Sequence, residues 1–134
     1  FDEQIRIGIM IEIPAIALIA DLAAEEVDFA SIGSNDLTQY LSAADRMNPE
    51  VAAYYKSDST AMLRLLGFVF REFSKREKEI SVCGEMAGNP ETAQLLVGLG
   101  ARKLSMSSGN IAGVKAKLAE CTLQELTALA EKKL

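Results

Sequence analysis

The 134-residue sequence contains no histidine and only two cysteines. Without an imidazole, a cysteine nucleophile lacks its usual activating base. Cys83 and Cys121 stand in different kinds of segment with no metal-ligand spacing around them, and a disulfide framework is foreign to a chain that is 49% apolar. A reducing cytoplasm is the expected compartment. No long hydrophobic run occurs either. IPAIALIA is broken at Asp21, well short of the ~20 residues that cross a bilayer, and there is no signal-peptide pattern, so no membrane span is expected. Basic blocks are also missing, and the formal net charge is -5, which leaves nucleic acid and anionic membranes without an electrostatic footprint. An anionic small molecule remains possible, but in so acidic a chain a phosphate needs a local cation, either an arginine or a metal ion held by carboxylates. The sequence opens at Phe1 rather than methionine, and the expectation is of a fragment of a longer polypeptide.

The balance of 49% apolar and 25% charged residues fits one globular domain with a real core. Four strand-then-helix units can be read along it. The first is IRIGIMIE, β-branched and apolar, followed by IPAIALIADLAAEE with Pro14 in the first helical turn. The second pairs VDFASIGS with NDLTQYLSAAD, and after a polar stretch Ser59 caps a long helix whose apolar face carries Met62, Leu65, Leu66, Val69 and Phe73. The third pairs EISVCGE with a helix opened by Asn89 and Pro90 and closed by Gly100. In the fourth, ARKLSMS reads as a strand and SGNIAGVKAKLAE as a helix, after which Thr122 and Glu125 form a capping box for a last helix. Alternation of this kind, with strands that are continuous apolar runs, implies a parallel α/β sheet. Periodicity does not choose between a small open sheet and half of a (β/α)8 barrel.

In such barrels the chemistry sits at the C-terminal ends of the strands. Those ends here carry Glu12; Ser34, Asn35 and Asp36; Cys83, Gly84 and Glu85; and Ser105 with Ser107. Glu12 and Asp36, at matching positions of consecutive units, can share a hard divalent cation, Mg2+ before others, or can be solvated loop acids with Asp36 as a helix cap. In GSND, Gly33 permits close backbone approach and the following amides can donate to an anion, although the same residues describe an ordinary turn. Arg46, read as closing the helix after GSND, is either an anion clamp or a partner of the helix dipole. Cys83 is a buried structural thiol, a nucleophile or a general acid, and the absence of histidine disfavours the nucleophile. Met86 and Met106 read as core or lining, and Tyr54 and Tyr55 either cover a site or merely pack.

The segments GIMIEIPAIAL, SIGSNDLTQY, AADRMN, VCGEMAGN and LSMS, in this order between Ile7 and Leu118, resemble the C-terminal domain of Enzyme I of the bacterial sugar phosphotransferase system. The resemblance implies that residues 1–134 are the second half of a phosphoenolpyruvate-binding (β/α)8 TIM barrel. It implies Glu12 and Asp36 as Mg2+ ligands, Asn35, Asp36 and Arg46 as contacts to phosphoenolpyruvate, and Cys83 as the proton donor. It also implies the reaction: phosphoryl transfer from phosphoenolpyruvate to a histidine on an N-terminal domain and on to the carrier protein HPr, by a protein that forms homodimers through this domain. Asn89 departs from the family's aspartate after GEMAG, but both residues cap helices. The family's further substrate-binding arginines belong to the first half of the barrel. Pyruvate phosphate dikinase and phosphoenolpyruvate synthase share the metal acids, the Asn-Asp pair and the Cys-Gly pair, whereas AADRMN and GEMAG favour Enzyme I. A catalytically inert dimerisation unit is the competing expectation from outside the enzyme class, because half a barrel leaves strand edges unpaired.

Overall fold

The computed structural model of the chain describes residues 2–134. Three short apolar runs form the strands β1 (Gly8–Ile11), β2 (Phe29–Gly33) and β3 (Glu79–Cys83), which lie parallel in the order β1-β2-β3. Parallel neighbours need crossovers, and helices supply them. The first crossover holds α1 (Pro14–Leu18) and α2 (Ala20–Glu26); the second holds α3 (Ser34–Ser42), a 3-10 turn at Pro49–Tyr54, and α4 (Thr60–Lys75). After β3 come α5 (Glu85–Gly88), α6 (Pro90–Leu99), α7 (Ser108–Ala119) and α8 (Leu123–Glu131).

Register decides what each face of the sheet carries, because alternate side chains point to opposite sides. Ile11 pairs with Ile32 and Ile32 with Val82, and all three are completely buried. This row packs in one core with Met62, Leu63, Leu66, Val69 and Phe73 of α4. Burying each such side chain is worth about 1.5–3 kcal/mol, so this covered face supplies much of the drive to fold. Ser59 caps α4 as expected, its Oγ accepting from the Met62 amide at 3.3 Å. Asn89 caps α6, Gly100 ends it at φ 122°, and the Thr122–Glu125 capping box opens α8.

The opposite face is uncovered. Gly8, Met10 and Glu12 share it with Phe29, Ser31 and Gly33 and with Glu79, Ser81 and Cys83. The Phe29 ring lies so close over β1 that a Cβ on Gly8 would come within 2.5 Å of it. Ser81 and Ser31 hydrogen-bond through their hydroxyls at 3.0 Å, and Met10 is 46% exposed. At the amino ends of the strands, Glu79 lies between Lys103 (2.6 Å) and Arg6 (3.8 Å).

Two expectations change. The first helix is not continuous: Ile19, at φ -111° and ψ 31°, donates its amide to the Ile16 carbonyl three residues back, and this tight turn separates α1 from α2. The fourth strand is reduced to a single parallel bridge between Leu104 and Val82, in which the Val82 amide donates to Lys103 and Val82 accepts from Ser105. Only six residues lie between Gly100 and the α7 N-cap at Ser107, and among the described residues this segment has a sheet neighbour on one side only. The chain is therefore α/β with a three-stranded parallel sheet and a fourth segment held at one rung.

Candidate functional site

Glu12 directly follows β1, and Cys83 is the last residue of β3. Gly33 ends β2 and is itself the N-cap of α3, so Ser34, Asn35 and Asp36 form the first helical turn rather than a loop. Gly33 pairs with Cys83 and its Cα faces Glu12, which puts Glu12, Gly33 and Cys83 in one row across the carboxyl ends of the strands. Ser105, one residue past the Leu104 bridge, extends the row.

Beyond the Gly33–Cys83 pair the backbone ladder stops, because residue 34 has turned into the helix. Side chains take over. The Ser34 hydroxyl, fully buried, donates to the Cys83 carbonyl at 2.6 Å, and the Asn35 Oδ1 accepts the Glu85 amide at 2.9 Å. Gly84, between those two anchors, has φ 94°, and a Cβ there would approach Ser34 Oγ to 2.5 Å and Asn35 Oδ1 to 2.8 Å. Only glycine satisfies both the left-handed backbone and the space. The half-buried Cys83 thiol is oriented by donation to the Ile32 carbonyl at 3.4 Å.

Tyr55 closes one side of the cluster. Its hydroxyl donates to the Asn35 carbonyl at 3.1 Å, whereas Tyr54 is 71% exposed. Burial first, and then the nearby Glu85 carboxylate, push the Tyr55 phenol above its ordinary range, with Arg46 opposing. Arg46 does not close α3 as expected: the helix ends at Ser42, and Ala43 turns the chain at φ 50°. The returning loop is held by the Arg46 amide, which donates to Gln39 Oε1 at 3.1 Å, and the guanidinium meets Asp36 at 3.3 Å. Both partners are more than one third exposed, so this pair adds little stability.

Glu12 fits against Gly33 so closely that a Cβ at position 33 would lie 3.1 Å from its Oε2. Among the described residues its carboxylate has no hydrogen bond and no ion pair. No group of three or more potential ligands of the His, Cys, Asp and Glu types occurs among the described residues, and the carboxylates at these strand ends are Glu12, Asp36 and Glu85. Carboxylates are the donors Mg2+ prefers, and it is commonly held by one or two of them while substrate oxygens and water complete its octahedron. Beside this row lies a cleft of about 270 Å3 lined by Asn35, Gly84, Glu85, Gly88, Ser105 and Asn110 among others.

Cys121 stands apart, accepting from the buried Gln94 amide at 3.3 Å, and Met86 belongs to the core. Three participants carried no distinct signal in the sequence. Ser34 reads only as one strand-end residue of a possible turn, with no partner indicated, and Tyr55 is indistinguishable from Tyr54. Asn110 approaches Gly88, where a Cβ would come within 2.6 Å of its Nδ2, and only the close approach of α5 and α7 reveals it.

Residues 1–123 match the family described as PEP-utilising enzyme, PEP-binding domain. The chain belongs to this family. Its curated relatives include multiphosphoryl transfer protein 2 of Escherichia coli, 46% identical over 93% of this chain and 15% of the relative. The multiphosphoryl transfer protein of Xanthomonas campestris is 47% identical over 98% of the chain and 16% of its own length. The phosphoenolpyruvate-protein phosphotransferase of Listeria monocytogenes is 45% identical over 98% of the chain and 23% of its own length. The chain thus spans less than a quarter of each of these relatives. All the residues of the candidate site fall inside the span matched to the PEP-binding domain.

Proposed function

We propose that this chain is the carboxyl-terminal half of the phosphoenolpyruvate-binding barrel of a phosphoenolpyruvate-protein phosphotransferase, with Cys83 as its general acid. The observation that carries the reading is the convergence of Asn35, Asp36, Arg46 and Cys83 at the carboxyl ends of β2 and β3, within the span matched to the family. The names of the relatives favour a protein phosphotransferase over a dikinase or synthase. For the half-barrel, support comes from the parallel order, helices on one face only, and the exposed side chains of Ile5, Ile7 and Ile13 flanking β1 and of Leu18 and Leu22 on α1 and α2.

In this reading Arg46 binds the phosphate or carboxylate of phosphoenolpyruvate, and Asn35, whose Oδ1 is occupied by Glu85, turns its amide nitrogen to the substrate. Glu12 and Asp36 hold Mg2+, which when bound offsets negative charge on the phosphoryl group. Phosphoryl transfer depends mainly on positioning and electrostatics, which fits a site with no protein nucleophile. When the phosphoryl group leaves, the enolate of pyruvate remains. The Cys83 S–H proton passes to its methylene carbon, giving the methyl group of pyruvate and a thiolate, and the reverse step returns that proton to sulfur. The phosphoryl acceptor is a histidine on another domain, with HPr the next carrier, in a cytoplasmic homodimer. Among the described residues no helix is long and apolar enough to cross a membrane.

The test is exchange of pyruvate methyl protons with solvent deuterium by the full-length protein, followed by NMR with Mg2+ present. Cys83→Ala is expected to retain phosphoenolpyruvate binding in calorimetry and to lose the exchange; normal exchange in that variant defeats the assignment. Titrating phosphoenolpyruvate and Mg2+ into the 134-residue chain, with and without the first half-barrel, separates a competent half-site from an inert dimerisation unit.

A further inference from the structure

Parallel strands hold their ends in register through backbone hydrogen bonds, and a strand end carrying a reactive group loses that support once its neighbour turns away. Here β2 turns into α3 at Ser34, one residue after its last pairing with β3. The Cys83 carbonyl and the Glu85 amide, on either side of Gly84, then depend on side chains from consecutive positions of α3. Resting on the phosphotransferase reading, we infer that Ser34 is a positioning residue that fixes where Cys83 delivers its proton.

Three observations converge on this. The Ser34 hydroxyl is completely buried, and its bond to the Cys83 carbonyl is short, at 2.6 Å. Its own carbonyl accepts from the buried Thr38 hydroxyl at 2.7 Å, so the anchor is itself held within α3. Gly84 follows the anchored carbonyl with φ 94° and no room for a side chain, which makes the turn depend on contact with Ser34 and Asn35. Cys83 Sγ is two covalent bonds from its own Cα, so a shift of that carbonyl moves the sulfur relative to a substrate held by Asn35 and Arg46. An ångström of misplacement at a reacting pair costs up to about a hundredfold in rate. Ser34 touches neither substrate nor sulfur in this account. Its effect should therefore fall on turnover and on thiol access while binding stays intact.

The experiment compares wild type, Ser34→Ala and Ser34→Thr in the full-length protein on two readouts. The first is kcat and KM for pyruvate methyl-proton exchange. The second is the rate at which iodoacetamide alkylates Cys83, located by peptide mass spectrometry, with Cys121 as internal reference. Loss of one hydrogen bond to a backbone carbonyl is expected to lower kcat for exchange about tenfold. KM should stay within about twofold of wild type, and Cys83 alkylation should change severalfold while Cys121 is unaffected. Ser34→Thr keeps the donor and is expected to stay within about threefold of wild type on both readouts, which retains a test if the alanine variant does not fold. Unchanged Cys83 alkylation in Ser34→Ala overturns the inference, as does a parallel loss of binding and turnover, or a tenfold loss in a folded Ser34→Thr. Wild-type protein that exchanges no pyruvate protons sinks the phosphotransferase reading instead, and the alkylation comparison then decides Ser34 alone.

Discussion

The two faces of the sheet are built from the same three strands and do different things. On the covered face, Ile11, Ile32 and Val82 are fully buried against α4 and the rest of the core. On the open face, Met10, Ser31, Ser81 and Cys83 are exposed or half-buried, and polar groups are common. One alternation of side chains thus assigns the packed core to one side and, in the proposed function, the chemistry to the other. Stability and activity should accordingly be separable by parity along each strand.

The sharpest break of that comparison is Cys83→Ala on the open side. We expect proton exchange at pyruvate to fall by about 10^2 to 10^4, the usual worth of a positioned general acid. Urea unfolding of the same variant should shift by less than about 1 kcal/mol, the range for a site outside the packed core. A large loss of stability would show that the open face is structural as well. Ile32→Ala, its neighbour on the covered side, should cost about 2–5 kcal/mol in urea denaturation through the cavity it leaves. Ser31→Ala, one residue earlier and on the open face, should cost less than about 1 kcal/mol despite losing the bond to Ser81. Equal costs for positions 31 and 32 would refute the division by faces.

A smaller effect concerns the far side of α4. Glu72 is only 7% exposed, and the hydrogen bond from Lys75 at 2.8 Å holds its carboxyl below the ordinary range, with Arg76 and Arg71 adding and burial opposing. Arg76 also reaches Glu25 of α2 at 2.8 Å, so the group ties two helices together. A depressed carboxyl contributes stability that is present above its unfolded value and is lost as the pH falls through its folded value. Thermal melts should therefore decline on acidification below the ordinary glutamate range, and Glu72→Gln should flatten that decline. An unchanged acid limb in the variant would assign it to other carboxylates.

Local signals were legible in the sequence and non-local ones were not. Pro14, Ser59, Asn89 and the Thr122–Glu125 box sit where expected because a cap acts on amides within three residues of itself. The turn at Ile19 has no glycine or proline to announce it. Arg46 reads in the sequence as closing α3, but the left-handed Ala43 stops the helix and the chain folds back to reach Asp36. ARKLSMS has strand composition, yet a ladder is a property of two neighbours, and here only Leu104 finds one. At the candidate site, the positions of Glu12 and Cys83 at strand ends could be read in advance. What could not be read was the wiring: Ser34 to Cys83, Asn35 to Glu85 and Tyr55 to Asn35 link residues 20 to 50 positions apart.

The open face is also electrically lopsided along the strand direction. At its amino end Glu79 is flanked by Lys103 and Arg6, and Lys103 holds its carboxyl below the ordinary range, so that negative charge is compensated on the spot. At the other end Glu12 has no such companion among the described residues. Compensated charges have fields that die within a few ångströms, whereas a lone carboxylate beside a low-dielectric wall projects outward. The uncompensated carboxylate lies at the same end of the strands as Cys83 and Asp36.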